Sequence, residues 1–538
     1  MVSIKKNFVN PTKSAVKLRP VGVAKPKPRC YEEPMTTKIY SCIPFGFEGK
    51  IVEVEADSNR GLPAFNIVGM ANKTINEARE RVRSAIANSK LKFPDQKVTV
   101  NLAPADLAKD GSFLDLPIAL SILTLSHHLL PEDTKNRLFV GELSLDGQLR
   151  PIKGIINIVE TAKNQELEEV YIPFENLGQA SLVTGIKIYG VKDLKSLVLH
   201  LRNIKRLDTH VQQNIAQKSP NMSPSEPFLD QIYGQSLAKR ALEIAIAGHH
   251  NLLISGPPGA GKTMLARVAK NLLPDPSPEE QIEITKIASM SGQNTSDIIA
   301  ERPFRHPHHT ASTSSIIGGG TLATPGEISL ATKGVLFLDE VPEFKREVLE
   351  SLRQPLEDKK ITVSRLNQRI TYPADFMLIA TMNPCPCGYN GDPTHKCTCS
   401  PFQIQQYQKK LSGPLFDRID MNLTVEKVKN TDLIKAKITD KTEHIVVKNA
   451  IKQALELQAA RYHSTTTRNG TISSTQVVEL LTLTPKARSL LNNASSSLNL
   501  SARSYFKTIK VARTIADLEN APEITPCHIA EALTFRKR

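Results

Sequence analysis

Asn251-Leu252-Leu253-Ile254-Ser255-Gly256-Pro257-Pro258-Gly259-Ala260-Gly261-Lys262-Thr263 begins as an unbroken apolar run and ends as a glycine-rich turn. An apolar run without alternation is buried on both faces, as the strands of a parallel sheet are. With a helical pattern following it, the segment reads as strand, loop and helix, the context in which such a turn cradles phosphate. Backbone N–H groups from Gly256 to Gly261 would curl around phosphate oxygens, and the helix N-terminus adds its dipole. Lys262 is expected to reach the β- and γ-phosphates and Thr263 to ligate Mg²⁺, which makes ATP with Mg²⁺ the expected ligand.

Working outward, two more apolar runs, Gly334–Asp339 and Phe376–Met382, read as further strands of the same sheet. The first ends in Asp339-Glu340, two carboxylates whose burial would be costly without partners. A bound Mg²⁺ held by Asp339 and a water polarised by Glu340 supply those partners. The second ends at Asn383, either a turn residue or an amide that orients water beside the γ-phosphate. Gly413-Pro414-Leu415-Phe416-Asp417-Arg418-Ile419-Asp420 then places Arg418 at a compact turn. There it is either a surface arginine paired with Asp417 or Asp420, or a finger reaching the γ-phosphate of a neighbouring subunit.

At 538 residues the chain is too long for one core, so several domains are expected. Residues 1–36 read as a basic disordered tail, with Met35 a candidate natural start. Residues 37–205 alternate β-rich runs (Lys50–Ala56, Lys97–Leu102, Leu138–Val140, Val170–Ile172) with helical patterns (Ile75–Ser89, Leu116–Leu125), an α/β domain. Residues 206–226 are polar and aperiodic, a linker. Residues 227–435 hold the phosphate loop and its sheet. Residues 436–538 are helical, with Ile445–Tyr462, Pro485–Ser497, Ala502–Leu518 and Pro526–Phe535 in a small bundle.

Formal charge is +15, and residues 1–34 carry eight basic and two acidic side chains, which leaves +9 for the rest. A basic body suits a polyanionic partner. No apolar stretch is long enough to span a bilayer. Seven cysteines, four of them within fifteen positions, make a poor disulfide framework and fit a reducing, cytoplasmic compartment. Those four, Cys385, Cys387, Cys397 and Cys399, can close a tetrahedral Zn²⁺ site, with His395 an alternative ligand, or can pack as small hydrophobes.

Several further segments carry a resemblance: Gln235 through Ala241, Arg302-Pro303-Phe304-Arg305, His308-His309-Thr310, Gly318-Gly319-Gly320, Pro325-Gly326-Glu327-Ile328-Ser329 and Asn383-Pro384-Cys385-Pro386-Cys387-Gly388. In this order around the two phosphate-site motifs they resemble the magnesium-chelatase-like AAA+ ATPases of the YifB/ComM family, from about residue 37 onward. The resemblance implies a P-loop AAA+ core with a C-terminal helical lid, in which Ser501-Ala502-Arg503-Ser504-Tyr505 matches a sensor motif and Arg503 contacts the nucleotide. It further implies a hexameric ring and, for members similar to ComM, a DNA helicase driving branch migration during natural transformation.

Ile361-Thr362-Val363 and Ile370-Thr371-Tyr372 flank Ser364–Arg369 as a β-hairpin, whose Arg365 and Arg369 either contact DNA phosphates or decorate a solvated tip. The Gly318–Gly320 insert resembles the family's other pore-facing element, with Arg302 and Arg305 as candidates to follow backbone charge. Neither element reads bases, so DNA binding is expected to be sequence-tolerant and salt-sensitive.

The N-terminal domain resembles the Lon protease domain at Lys109-Asp110-Gly111-Ser112, Gly141–Gly147 and Pro151-Ile152-Lys153-Gly154. The positions of the Lon nucleophile and lysine fall on Phe113 and Ile156, so a Lon-like (S5 domain 2-like) fold without its catalytic dyad is expected, serving as a scaffold or DNA-contacting collar. Two other functions remain open: a chelatase-type motor acting on a protein partner, and an ATP-dependent protease.

Overall fold

The computed structural model describes residues 37–538 apart from 60, 70–72, 106, 108, 110–111, 209–226, 294–295, 321–322, 366–367, 393–394, 428–441 and 537–538, and not the side chains of 73–75, 365 and 368. The basic tail, most of the expected linker, Asp110, Gly111 and the side chain of Arg365 therefore lie outside the described residues.

The first strands are β1 (Thr37–Phe45), β2 (Glu48–Asn59), β3 (Ala64–Val68), β4 (Lys97–Ala103), β5 (Arg137–Phe139), a ribbon of β6 (Glu142–Leu143) with β7 (Leu149–Arg150), then β8 (Glu169–Pro173) and β9 (Lys187–Val191). Seven of them form one sheet, ordered β3-β4-β2-β1-β5-β8-β9. In β2 the inward residues Val52, Val54 and Ala56 alternate with partly exposed ones, the period of two that a pleated strand imposes. On one face of the sheet helices Lys73–Asn88 and Asp115–Leu125 bury Val82, Ile86, Leu116 and Leu120. On the other, helix Ile155–Asn164 packs Ile155, Ile158 and Val159 against Cys42, Val170 and Ile172.

A second sheet contains β10 (Leu252–Ser255), β11 (Phe304–Arg305), β14 (Val335–Leu338), β17 (Met377–Met382) and β18 (Met421–Thr424), and between these come ribbons β12 (Gly318–Gly319) with β13 (Thr324–Pro325) and β15 (Lys360–Arg365) with β16 (Gln368–Pro373). Its order is β11-β14-β17-β10-β18 and every neighbouring pair is parallel. The uninterrupted apolar runs have the cause inferred for them: Leu252, Ile254, Phe337 and Ile379 enter a core on one side, Leu253, Leu336, Leu338 and Leu378 a core on the other.

Helices Thr442–Tyr462, Pro485–Ser497, Ala502–Leu518 and Pro526–Thr534 follow the expected pattern closely, and a short helix Ser474–Leu480, not expected, lies between the first two. Ile451, Val477, Leu491, Ile515 and Ile529 join the same core as Leu252 and Phe337, so these helices share their apolar core with the sheet. The N-terminal domain is also packed on the core: Phe45 and Phe47 lie against the cluster that contains Ile370 and Tyr372, Gly154 N–H donates to Ser289 Oγ at 3.0 Å, and Lys286 pairs with Glu160. Gly46, at φ +59, approaches Ile370 so closely that a Cβ would lie 2.5 Å from its Cγ2. The hairpin β15–β16 is thus braced by the turn between β1 and β2.

Candidate nucleotide-binding site

All five strands of the second sheet run the same way, so its two edges differ. At the C-terminal edge the chain leaves β10 into Gly256, β14 into Asp339 and β17 into Asn383, the position where open parallel sheets bind ligands. Gly256 N–H donates to Met382 O at 3.2 Å, and a Cβ on Gly256 would lie 2.5 Å from Val425 O, which confines this position to glycine. Gly259 and Gly261 have φ of +77 and +82 with nothing within 4 Å of a built Cβ, so they are glycines for their backbone conformation. Pro257, Pro258 and Ala260 complete the turn, and helix Lys262–Leu272 starts directly after it.

Lys262 Nζ donates to Gly256 O at 2.7 Å, Pro257 O at 2.9 Å and Asn383 Oδ1 at 3.1 Å. Desolvation lowers its pKa, while Asp339 and Glu340 act in the opposite sense. Thr263 Oγ1 donates to Asp339 Oδ2 at 3.0 Å, bringing together the hydroxyl and carboxylate that would hold Mg²⁺. Thr381, unread in the sequence although it lies two residues before Asn383, donates its hydroxyl to Asp339 Oδ1 and accepts from Glu340 N–H at 3.0 Å. Glu340 is exposed and left-handed at φ 53, a conformation that costs a glutamate strain and marks the sharp turn after the strand.

At the N-terminal edge lies a different set. Arg418 donates from Nε to Arg353 O at 2.9 Å, from Nη1 to Pro414 O at 2.7 Å and from Nη2 to Glu357. Arg503, from the C-terminal helices, donates to the other oxygen of the same Glu357. Neither Asp417 nor Asp420 pairs with Arg418; Asp420 instead takes Lys507 at 2.8 Å and the Asn251 N–H at 2.8 Å. Asn251, just before β10, donates to Arg418 O at 3.3 Å, which fixes Arg418 at the start of that strand whereas Lys262 follows its end. The intervening Leu252–Ser255 spans roughly 13 Å at about 3.3 Å per residue. A cavity of about 720 Å³ whose charged lining is Arg418, Arg503, Lys359, Lys507 and Lys510 against Glu357 and Asp420 opens on this edge. Glu357 gave no signal in the sequence, since Pro355-Leu356-Glu357-Asp358 reads as an ordinary helical turn.

The family model of magnesium chelatase subunit ChlI matches residues 228–433, that of the ChlI subunit 54–176 and that of the ChlI C-terminal region 441–536. The chain is 42% identical over 502 residues to competence protein ComM of Haemophilus influenzae, covering 93% of this chain and 97% of that one. It is 37% identical over 492 residues to YifB of Escherichia coli, covering 91% and 95%. The chain belongs to the YifB/ComM family of magnesium-chelatase-like AAA+ proteins. Membership implies ATPase activity with ATP and Mg²⁺, and AAA+ proteins commonly oligomerise. No helix among the described residues is long and apolar enough to cross a membrane.

A weaker similarity, 30% over 121 residues, covers 22% of this chain and 21% of Lon protease 2 of Bacillus subtilis. In this YifB/ComM chain the two dyad positions are apolar: Ile156 is fully buried, and Phe113 packs against the same cluster. Ser112 donates to Glu142, and the buried Lys109 donates to Leu102 O at 2.8 Å and Gly69 O at 3.3 Å, so neither is paired with the other.

The candidate DNA-binding arginines separate. Arg302, largely withdrawn from solvent, forms an ion pair with the buried Glu280 and also donates to Pro274 O at 2.7 Å and Lys333 O at 2.7 Å, which corrects its expected exposure to a nucleic acid. Its partner Glu280 also closes a capping box with Ser277 at the start of helix Pro278–Ser291. Arg305 is bidentate to Glu327, at 2.6 and 2.7 Å, and is likewise engaged within the chain. Arg369 is exposed and carries no ion pair among the described residues. The glycine insert lies beside the hairpin, with a Cβ on Gly318 only 3.2 Å from Val363 Cγ2.

Cys385, Cys387, Cys397 and Cys399 bring their sulfurs within 4.8 Å of one another, a cluster that can hold a metal ion. Cys385 Sγ is 3.3 Å from that of Cys387 and 3.7 Å from that of Cys397. The sulfurs titrate against one another: backbone N–H groups of Tyr389 and Thr398 pull the Cys387 thiol down, whereas Cys397 and Cys399, despite their own backbone donors, are pushed up by burial and by the neighbouring sulfurs. His395 instead stacks on Tyr389 at 4.9 Å between ring centroids.

Proposed function

We propose that this protein is a ring-forming, ATP-hydrolysing DNA motor with helicase or branch-migration activity. Its main support is the separation of Lys262, Asp339, Glu340 and Asn383 on one edge of the parallel sheet from Arg418 and Arg503 on the other. Arginines roughly a strand's length from the phosphate loop cannot complete the site of their own chain, whereas a neighbouring copy in a ring, most simply a hexamer, can present them to it.

In this reading Gly256–Gly261 and Lys262 bind the phosphates, and Thr263 with Asp339 holds Mg²⁺, which supplies charge neutralisation on the phosphate oxygens. Glu340 and Asn383 orient the attacking water, and Thr381 keeps Asp339 and Glu340 in register. Arg418 acts as the finger and Arg503, on a helical lid, as a second cation toward the same neighbouring γ-phosphate; Glu357 holds both while they wait. DNA passes along the hairpin of β15 and β16 and the adjoining glycine insert, contacted at its phosphates by Arg369 and Arg365. The N-terminal Lon-like domain serves as a collar without peptidase activity. The four cysteines hold Zn²⁺: tetrahedral Zn–S bonds of about 2.3 Å put sulfurs about 3.8 Å apart, close to the 3.3 and 3.7 Å found here.

ATP turnover by the purified protein with and without single-stranded and branched DNA tests this reading. Several-fold stimulation that fades as salt rises is expected. Robust turnover unaffected by any DNA would overturn it in favour of a chelatase-type motor acting on a protein partner.

A further inference from the structure

The loop that carries the four cysteines runs from Asn383 to the helix Pro401–Lys409, and it is built against the phosphate loop. Gly388 lies so close to Pro258 that a Cβ would come 2.6 Å from its Cδ and 2.7 Å from its Cγ, and its φ of +86 is one that side chains rarely adopt. Pro258 stands in the phosphate loop between Pro257 and Gly259. At the near end, Cys385 is fully buried two residues after Asn383, whose Oδ1 accepts from Lys262 Nζ. Gln408 Nε2 donates to Pro384 O at 3.2 Å and fixes the residue between them. The sulfurs are themselves oriented by backbone donors: Asn390 N–H to Cys385 Sγ at 3.3 Å and Cys387 N–H to Cys399 Sγ at 3.4 Å. Such N–H···S contacts fix thiolates around a metal.

We propose that the tetracysteine loop is a positioning element of the ATPase site: Zn²⁺ on Cys385, Cys387, Cys397 and Cys399 presses Gly388 onto Pro258 and holds Asn383 beside Lys262, so nucleotide affinity depends on a metal that never touches the nucleotide. The inference rests on the zinc reading above. Closing a loop of fifteen residues through one metal removes the conformational freedom that would let Gly388 and Asn383 drift from the phosphate loop. Both contacts belong to one short segment, so one metal fixes the wall of the phosphate loop and the sensor amide together.

Three full-length proteins decide it, each measured for zinc content and for equilibrium binding of a fluorescent Mg·ADP: the native chain, Gly388→Ala and the double variant Cys397→Ser/Cys399→Ser. The native chain should carry one zinc. Gly388→Ala should keep its zinc yet bind nucleotide about tenfold more weakly, because the added Cβ displaces Pro258. The double variant should lack zinc and be weakened to a similar degree. Zinc stripped from the native chain and then restored should remove and return nucleotide affinity, a readout that does not depend on either variant folding. Native protein without zinc would sink the metal reading itself. Zinc present, with nucleotide affinity unchanged by stripping and by Gly388→Ala, would leave the metal reading standing and overturn the coupling.

Discussion

The two edges of the five-stranded sheet use the same scaffold for opposite purposes. At the C-terminal edge Lys262 is tied to Asn383, and Thr263 and Thr381 are tied to Asp339, an arrangement suited to phosphate and metal. At the N-terminal edge, Arg418 and Arg503 are tied only to Glu357 and to backbone carbonyls, beside a cationic cavity. The first edge has charge partners for a ligand of its own; the second has cationic charge in excess of its partners. On the proposed reading, two half-sites facing opposite ways complement each other between copies.

The most severe way to test that contrast is Lys262→Ala, which should lower kcat/KM for ATP on the order of 10³-fold or more by removing the cation at the phosphates. Arg418→Ala should bind ATP normally and lose on the order of 10³ or more in kcat, the range of arginine fingers. Mixing the two inactive proteins should restore turnover, since a ring containing both assembles some sites from an intact Lys262 and an intact Arg418. No recovery on mixing, with co-assembly verified by size, would place Arg418 outside the neighbour's site.

Within the C-terminal edge, Glu340→Gln should lower turnover by about 10² to 10⁴ while ATP remains bound, the size of a general-base contribution. A variant that hydrolysed ATP at the native rate would move the water-orienting role to another group.

These edges were unequally legible in the sequence. The phosphate loop and Asp339-Glu340 were readable because steric and charge demands act on neighbouring residues: glycine where the backbone turns left-handed, carboxylates where a buried strand ends. The strands Leu252–Ser255, Val335–Leu338 and Met377–Met382 were readable for a related reason, since burial on both faces leaves no alternating polar positions, and Ser255 and Thr381 come only at or next to the strand ends that face the site. Glu357 was not readable, because its importance comes from two arginines 61 and 146 residues away. Arg302 was misjudged on the same ground: its partner Glu280 lies 22 residues upstream on a separate helix. The helices after Thr442 were legible as helices, yet their sharing of a core with the sheet was not, as amphipathic faces do not name their partners.

Arg302 and Arg369 extend the contrast to the DNA candidates. Arg302→Ala leaves Glu280 buried and unpaired, an effect of about 3–5 kcal/mol, and should appear as a lower Tm. Arg369→Ala should leave Tm unchanged, weaken DNA binding a few-fold and reduce the salt slope by about one. If Arg302→Ala reduced the salt slope and spared Tm, its buried ion pair would not be what the arginine is for.

For Glu357→Gln the sign of the effect carries the information. Each arginine must leave Glu357 to meet a neighbouring phosphate, and partly exposed pairs of this kind are worth about 0.2–1 kcal/mol each. Removing the carboxylate's charge frees both pairs, about 0.4–2 kcal/mol together, and should therefore raise kcat/KM by roughly two- to thirtyfold, most visibly at low protein concentration where assembly limits turnover. A fall in activity would mean that Glu357 aligns the two guanidinium groups for the neighbour, and that the cost of breaking these pairs is smaller than the gain from holding both arginines in place. Either sign keeps Arg418 and Arg503 acting as one unit, whereas unchanged activity at every concentration would separate them from the reaction and leave the N-terminal edge a surface ion cluster.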